Sequence, residues 1–139
     1  MYVYVDSAAS LEYFKENKAV DFRVKLAKQL TLQGSWEVAV VNVGFPAITS
    51  NYKAQIIYIN SSICQDSVLN GTLQPILSSV HRKEFRKGHV VFSPPSYVRV
   101  NTDQLTVLRV YLRDSEGQSP SFHSGALYCT LHFRKCLHS

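Results

Sequence analysis

Four cysteine and histidine side chains near the end of the chain have a spacing that resembles a zinc site. They are Cys129, His132, Cys136 and His138, and thiolate and imidazole groups are common zinc ligands. The surrounding residues alternate as in a β-strand, so Cys129 and His132 should face opposite sides, and His132 and Cys136 should lie roughly 13 Å apart. We therefore predict no metal site and no cofactor, with Cys129 in the core.

Residue patterns typical of catalytic sites are also absent from the sequence. It contains no Gly-x-Ser-x-Gly nucleophile elbow, no glycine-rich phosphate loop and no His-Glu-x-x-His zinc motif. Its aspartates and histidines are scattered among predicted loops, as at Asp66, Asp103, Asp114, His81, His89 and His123. The sequence thus predicts a protein that is not an enzyme.

A basic segment at residues 81–89 is the densest cluster of charge. Its candidate basic patch consists of Arg82, Lys83, Arg86 and Lys87, with Phe85 among them. Three interpretations remain open. The segment is a solvated connection whose Phe85 fills the edge of the core, a surface for an acidic protein partner, or a weak contact with nucleic acid through phosphates and a stacked base.

Large aromatic side chains are the other candidates for a structural or binding role. Trp36 begins the most hydrophobic predicted strand, so we predict that it anchors the core. Three side chains on the polar sides of predicted strands, Arg109, Tyr111 and Tyr128, are the candidate subunit or partner interface, because tyrosine and arginine are enriched at protein interfaces.

The elements that would position these side chains are almost all strands. Leu108, Val110 and Leu112 alternate with polar residues, which predicts a strand with one buried face. Eight or nine such segments, with turn signals between them, predict an all-β, single jelly-roll β-sandwich of about eight antiparallel strands over residues 1–139. The predicted strands are Tyr2–Val5, Asp21–Leu26, Trp36–Phe45, Gln55–Asn60, Leu73–Val80, His89–Phe92, Tyr97–Asn101, Thr106–Arg113 and Ala126–Arg134. Residues Ser10–Lys18 are predicted to form a short helix or an ordered loop.

Composition narrows the class of protein. The chain has 139 residues, 45% of them hydrophobic, and a net charge of +5, which is short of the concentrated charge of a dedicated nucleic-acid binder. No apolar run approaches the roughly 20 residues of a membrane helix, so no membrane contact is predicted. The first residues lack the features of a signal peptide, which predicts a location inside the host cell and reduced cysteines.

The order of these segments resembles a known family. The block Leu32-x-Gly34-x-Trp36-Glu37-Val38-Ala39 leads to Phe45-Pro46. Later segments are Ile57-Tyr58-Ile59, Gln74-Pro75-Ile76-Leu77, Leu108-Arg109-Val110-Tyr111-Leu112-Arg113-Asp114-x-x-Gly117 and Leu131-His132-Phe133-Arg134. Together they are similar to the penton-type minor capsid proteins of Polinton (Maverick) elements and adintoviruses, which are single jelly rolls. The segment Gln65–Gly71 departs from the family pattern.

The resemblance implies a structural role in a virion capsid. Five copies would form a homopentamer at each five-fold vertex of an icosahedral shell, surrounded by a double jelly-roll major capsid protein. The alternative from another class is a soluble jelly-roll binding module, lectin-like or cytokine-like, that works as a monomer or trimer. Fold analogy alone motivates this alternative, because one fold hosts many functions.

Overall fold

A computed structural model describes residues 1–137 of the protein. Almost all of its regular structure is strand, as predicted, with one helical turn. The elements in chain order are β1 (Tyr2–Asp6), β2 (Asp21–Thr31), β3 (Trp36–Gly44), β4 (Ile56–Asn60), β5 (Ser67–Leu69), β6 (Thr72–Gln74), β7 (Ile76–His81), α1 (Arg82–Phe85), β8 (His89–Val91), β9 (Val98–Arg99), β10 (Gln104–Asp114) and β11 (Tyr128–Lys135).

The strands form where apolar and polar residues alternate. In β10, Leu108, Val110 and Leu112 are fully buried, while Arg109 and its polar neighbours on the other side stay partly exposed. Side chains of a strand point alternately to its two sides. One side of β10 therefore covers the core and the other faces outward, as the sequence predicted.

Two antiparallel sheets contain most of these strands. Sheet I has the order β1-β11-β3-β8, with the short β9 also paired to β3, and sheet II has the order β2-β10-β4-β7. A separate hairpin joins β5 to β6. At its turn, Asn70 and Gly71 both have positive φ angles, 51° and 80°, which is the geometry that makes Asn-Gly a strong hairpin signal.

The pairing follows the chain from its two ends towards its middle. The first strand pairs with the last, β1 with β11, in sheet I. Next, β2 pairs with β10 in sheet II, β3 with β8 in sheet I, and β4 with β7 in sheet II. Successive pairs therefore alternate between the sheets, as in a long hairpin that is wrapped around a core.

The two sheets pack their apolar sides onto one shared core. Sheet I contributes Phe133 and Leu131, and sheet II contributes Phe22 and Leu112, all without measurable exposure. The protein is therefore all-β, with antiparallel sheets that face each other as in a sandwich. Trp36 lies at the rim of this core: it is half-buried, packs against the cluster and donates its indole N–H to the Gln33 carbonyl oxygen at 2.9 Å.

Several predicted boundaries differ from the structure. The predicted strand Leu73–Val80 is divided into β6 and β7 on either side of Pro75, which has no N–H to donate to a ladder. Residues Ser10–Lys18 form turns without a helix, which agrees with the ordered loop, the second of the two predicted alternatives. The single turn of α1, which begins at Arg82, was not predicted, because four residues are too few to produce a helical pattern.

Each sheet has an outer side that faces away from the core, and these two outer sides carry the candidate functional residues. On sheet I the outward positions of β1 are Tyr2, Tyr4 and Asp6, because Val5 faces the core. On sheet II the outward positions include Arg23 of β2 and Arg109 of β10, which are direct partners in the register. Over residues 1–137, no helix has the length and apolar character needed to cross a membrane.

Candidate functional site

The three described residues of the zinc-like spacing do not lie on one side of the protein. Cys129 is buried in the core, whereas His132 lies on the outer side of sheet I and Cys136 follows the end of β11. His138 lies outside the described residues. No group of three or more metal-ligating side chains occurs within residues 1–137. Burial raises the pKa of the Cys129 thiol to about 12, so this cysteine stays a protonated, apolar core residue.

The basic segment around α1 surrounds a buried phenylalanine. Phe85 is 1% exposed and packs in the core, as one of the three interpretations of the segment requires. Arg82 donates a hydrogen bond from its Nη1 to the Ala54 carbonyl oxygen at 3.1 Å, which fixes its side chain. Lys83, Arg86 and Lys87 are exposed, and whether they contact a partner stays a prediction.

The three candidate interface residues lie on opposite sides of the sandwich. Arg109 and Tyr111 are on the outer side of sheet II, whereas Tyr128 is on the outer side of sheet I. A single flat contact cannot include all three. The structure therefore defines two candidate surfaces, each of which combines predicted residues with others that the sequence did not single out.

The outer side of sheet I is rich in exposed aromatic rings. We call it the tyrosine face; it consists of Tyr2, Tyr4, Tyr128, His132 and Val91. Tyr4 is 75% exposed, and Tyr2, Val91 and Tyr128 are each about half exposed or more. Rings of this kind lose little rotamer entropy when a partner covers them and carry a polar hydroxyl at the edge. The face is thus suited to contact another protein surface.

Tyr128 is fixed in place by a glycine on the neighbouring strand. Gly44 is its cross-strand partner, and a Cβ atom at this position would lie 2.1 Å from Tyr128 Cζ. The ring therefore lies directly over the backbone of β3. On its other side it stacks against His89 at 6.0 Å between centroids, with 3.3 Å between the hydroxyl and Nδ1. These contacts present the ring flat against the sheet.

A second cluster on this face is centred on His132. Its Nδ1 lies 2.8 Å from the Tyr97 hydroxyl, and its ring packs against Tyr2 at 4.6 Å between centroids. Partial burial lowers the pKa of His132, and the nearby N-terminal amine and Arg134 lower it further. The imidazole is therefore neutral at physiological pH and serves as a packing and hydrogen-bonding group.

The outer side of sheet II has a different chemistry. We call it the arginine face; it consists of Asp21, Arg23, Arg109, Tyr111 and Arg113. Arg109 makes a two-bond ion pair with Asp21, with Nε–Oδ1 at 3.0 Å and Nη2–Oδ2 at 2.7 Å. Its guanidinium also lies 4.3 Å from the Tyr111 ring centroid, and that of Arg113 lies 5.3 Å from the same ring.

The electrostatics of the arginine face follow from this excess of guanidinium groups. The hydrogen bond from Arg109 holds the pKa of Asp21 below its ordinary value of 3.8, and the charges of Arg109, Arg23 and Arg113 act in the same direction. Burial raises the pKa of Tyr111 although the adjacent arginines oppose the change. Asp21 is therefore ionised, and Tyr111 neutral, at every physiological pH.

Sequence reasoning identified some of these residues and missed others. Tyr2, Tyr4 and Arg23 were not singled out, although all three are outward positions of strands predicted correctly. The signal was present in the alternation Tyr2-Val3-Tyr4-Val5, in which the larger rings alternate with core valines. The sequence could not reveal which strands are neighbours. The order of the strands in a sheet determines which outward side chains lie together on one surface.

The sequence matches no protein-family model and no curated protein. The two surfaces and the strand order are therefore the features that bear on function.

Proposed function

We propose that the protein is a penton-type minor capsid protein with a single jelly-roll fold, which assembles as a homopentamer at the five-fold vertices of an icosahedral shell. The strand order is the observation that carries the proposal. In a jelly roll, eight strands wrap as a paired ribbon into two four-stranded sheets. The pairs β1–β11, β2–β10, β3–β8 and β4–β7, which alternate between sheets I and II, support this fold.

A five-membered ring requires each subunit to contact its neighbours through protein surface. A closed ring with five-fold symmetry uses heterologous contacts, in which one patch of a subunit meets a different patch of the next. We propose that the tyrosine face is one of these two patches and that a second copy of the chain covers it. Tyr2, Tyr4 and Tyr128 supply aromatic area, and Asp6, the carboxylate opposite Tyr128, already accepts the Ala8 N–H inside the subunit.

The predicted interface residues Arg109 and Tyr111 have a weaker claim to the contact. The Arg109 guanidinium already binds inside the subunit, through the ion pair with Asp21 and by stacking on the Tyr111 ring. Tyr128 stays a candidate for the subunit contact, because it is exposed on the tyrosine face. Around the ring, the double jelly-roll major capsid protein implied by the family resemblance would be the second partner.

The first experiment is the mass of the protein in solution, by size-exclusion chromatography with light scattering. We expect five times the subunit mass. A three-fold mass would contradict the vertex role and favour the binding module. A monomer at all concentrations that also fails to enter shells when it is expressed with a double jelly-roll capsid protein would contradict it as well.

A matched pair of variants tests the tyrosine face itself. Tyr4→Glu places a carboxylate in the middle of the proposed contact and should convert the ring to monomers with an unchanged melting temperature, because Tyr4 is exposed. Tyr13→Glu makes the same change at another exposed tyrosine, away from sheet I, and should leave the ring intact. A ring that survives Tyr4→Glu would exclude this face from the contact.

A further inference from the structure

The arginine face holds more positive charge than its own carboxylate neutralises. Both oxygens of Asp21 are used by Arg109. Arg23 lies directly opposite Arg109 in the register, and like charges at opposed positions of a sheet repel. Among residues 1–137, neither Arg23 nor Arg113 forms a salt bridge with a carboxylate. An anion from outside the chain would relieve this repulsion.

A cleft adjoins these two arginines. It has a volume of about 620 Å³, and its walls include the loop residues Lys15 and Lys18 as well as Arg23, Arg113 and Ser119. Positive side chains therefore approach it from the sheet and from the loop. Within residues 1–137, the only carboxylates in its walls are the paired Asp21 and the exposed Glu16.

The loop wall of the cleft is held in a defined position. Asn17 donates from Nδ2 to the Arg23 carbonyl oxygen at 2.7 Å, and its Oδ1 accepts the Arg23 N–H at 2.9 Å. These two bonds attach the loop to β2 beside the arginines. Tyr13 stands at the rim, 56% exposed, with the Lys25 ammonium 4.2 Å from its ring centroid.

We propose that this cleft binds a phosphate group of a single-stranded nucleic acid, held by Arg23 and Arg113, with the adjoining base stacked on Tyr13. Planar guanidinium groups bind phosphate through paired hydrogen bonds. An exposed aromatic ring beside a cationic groove is typical of proteins that bind single strands. The binding surface lies on sheet II and is separate from the basic segment around α1.

The proposal does not rest on the capsid role. It concerns a ligand of the single subunit, whatever its assembly state, and the tyrosine face lies on the other sheet. The mass of the protein and its affinity for a nucleic acid are measured separately. Either proposal can therefore fail while the other stands.

The test is binding of a short fluorescent oligothymidylate by anisotropy, as a function of salt concentration. The double variant Arg23→Gln, Arg113→Gln should bind at least about tenfold more weakly, and the slope of log affinity against log salt should become shallower by about 0.7, because the one phosphate contact of the cleft is lost. The matched control Lys83→Gln, Arg86→Gln removes the same net charge beside α1 and should change the affinity less than about twofold.

Two results would overturn the proposal. One is a wild-type protein that does not bind the oligonucleotide at low salt. The other is an equal loss of affinity in the cleft variant and the control, which would mean that net charge alone attracts the strand. The single variant Arg23→Gln provides a second measurement if the double variant folds poorly, because the Arg23 side chain is exposed.

Tyr13→Ala distinguishes a nucleic acid from free phosphate. If a base stacks on the ring, this variant should lose about tenfold in affinity for the oligonucleotide and keep its affinity for inorganic phosphate, measured by competition at constant ionic strength. If Tyr13→Ala binds the oligonucleotide as well as wild type while inorganic phosphate displaces it, the cleft takes free phosphate and the nucleic-acid assignment is wrong.

Discussion

The tyrosine face and the arginine face differ in what a partner would have to do to cover them. On the tyrosine face the most exposed rings are those of Tyr4 and Tyr2, and a protein surface can cover uncharged rings without removing a charge from water. On the arginine face the exposed Arg23 adjoins an ion pair. Covering that face requires an anion, because an unpaired buried guanidinium is strongly destabilising.

The difference shows how little of the surface chemistry is dictated by the fold. Both faces arise from the same alternation, in which every second residue of a strand points outward. The inward residues of both sheets form one core, whereas the outward residues are free to differ. One sandwich can therefore offer a protein contact on one side and an anion contact on the other, with opposite responses to salt.

Removing a large core side chain under either face should have the largest effect on the free energy of unfolding, and this effect should be the same for both sheets. Phe133→Ala in sheet I and Phe22→Ala in sheet II each leave a cavity beneath a fully buried position. Each should lower the free energy of unfolding by about 3–5 kcal/mol, measured by urea denaturation with one transition. Two separate transitions, or a large loss from only one variant, would show that the sheets do not share a core.

Trp36→Ala should have a smaller effect, because the indole lies at the rim of sheet I and is only half-buried. We expect a loss of about 2 kcal/mol, less than for a fully buried aromatic residue. The same urea experiment measures it. A loss as large as that of Phe133→Ala would establish Trp36 as a true core anchor, whereas a loss near zero would assign it to the surface.

Asp21→Asn tests the ion pair of the arginine face. The pair is about one-third exposed, so we expect a loss of about 0.5–1 kcal/mol that diminishes as salt is added. Because the folded-state pKa of Asp21 is lowered, the stabilisation is present above pH 3.8 and is lost as pH falls through that lowered value. Denaturation at several pH values measures both trends.

A matched substitution near the tyrosine face provides the comparison. Glu37→Gln removes the ion pair with Arg134, which has a single N–H···O bond at 2.6 Å. Glu37→Gln should lower the free energy of unfolding by less than Asp21→Asn, because the ion pair between Asp21 and Arg109 has two hydrogen bonds. The reverse order of the two losses would contradict the assignment of the stronger ion pair to the arginine face.

The titration of His132, on the tyrosine face, should have the smallest effect on the free energy of unfolding. Its folded-state pKa is lowered from 6.5, so the unfolded chain binds the proton first as pH falls. The free energy of unfolding should therefore decline from about pH 6.5 down to the folded-state pKa, and then level off. His132→Gln should remove this slope in a pH series of denaturation curves. An unchanged slope in that variant would assign the effect to another group.

The parts that sequence alone could predict are those set by local patterns. Alternation at Leu108, Val110 and Leu112 located β10 and its buried side, whereas the three-residue strand β5 was not predicted. Local patterns do not specify which distant strands pair. Arg109 and Arg23 lie far apart in sequence but directly opposite in the register, so the cleft beside them could not be foreseen. Tyr128 was grouped with residues of the other sheet for the same reason.

The pairing of β1 with β11 has a consequence for how the protein is made. Tyr2 is synthesised on the order of ten seconds before its partner His132 at ordinary rates of translation. Until then, sheet I lacks β11, the strand between β1 and β3, and β1 has no strand to pair with. The ladder between β4 and β7 can form earlier, because its strands are close in sequence. These strands are therefore expected to fold from the β4–β7 pair outward, with β1 unpaired until β11 has been synthesised.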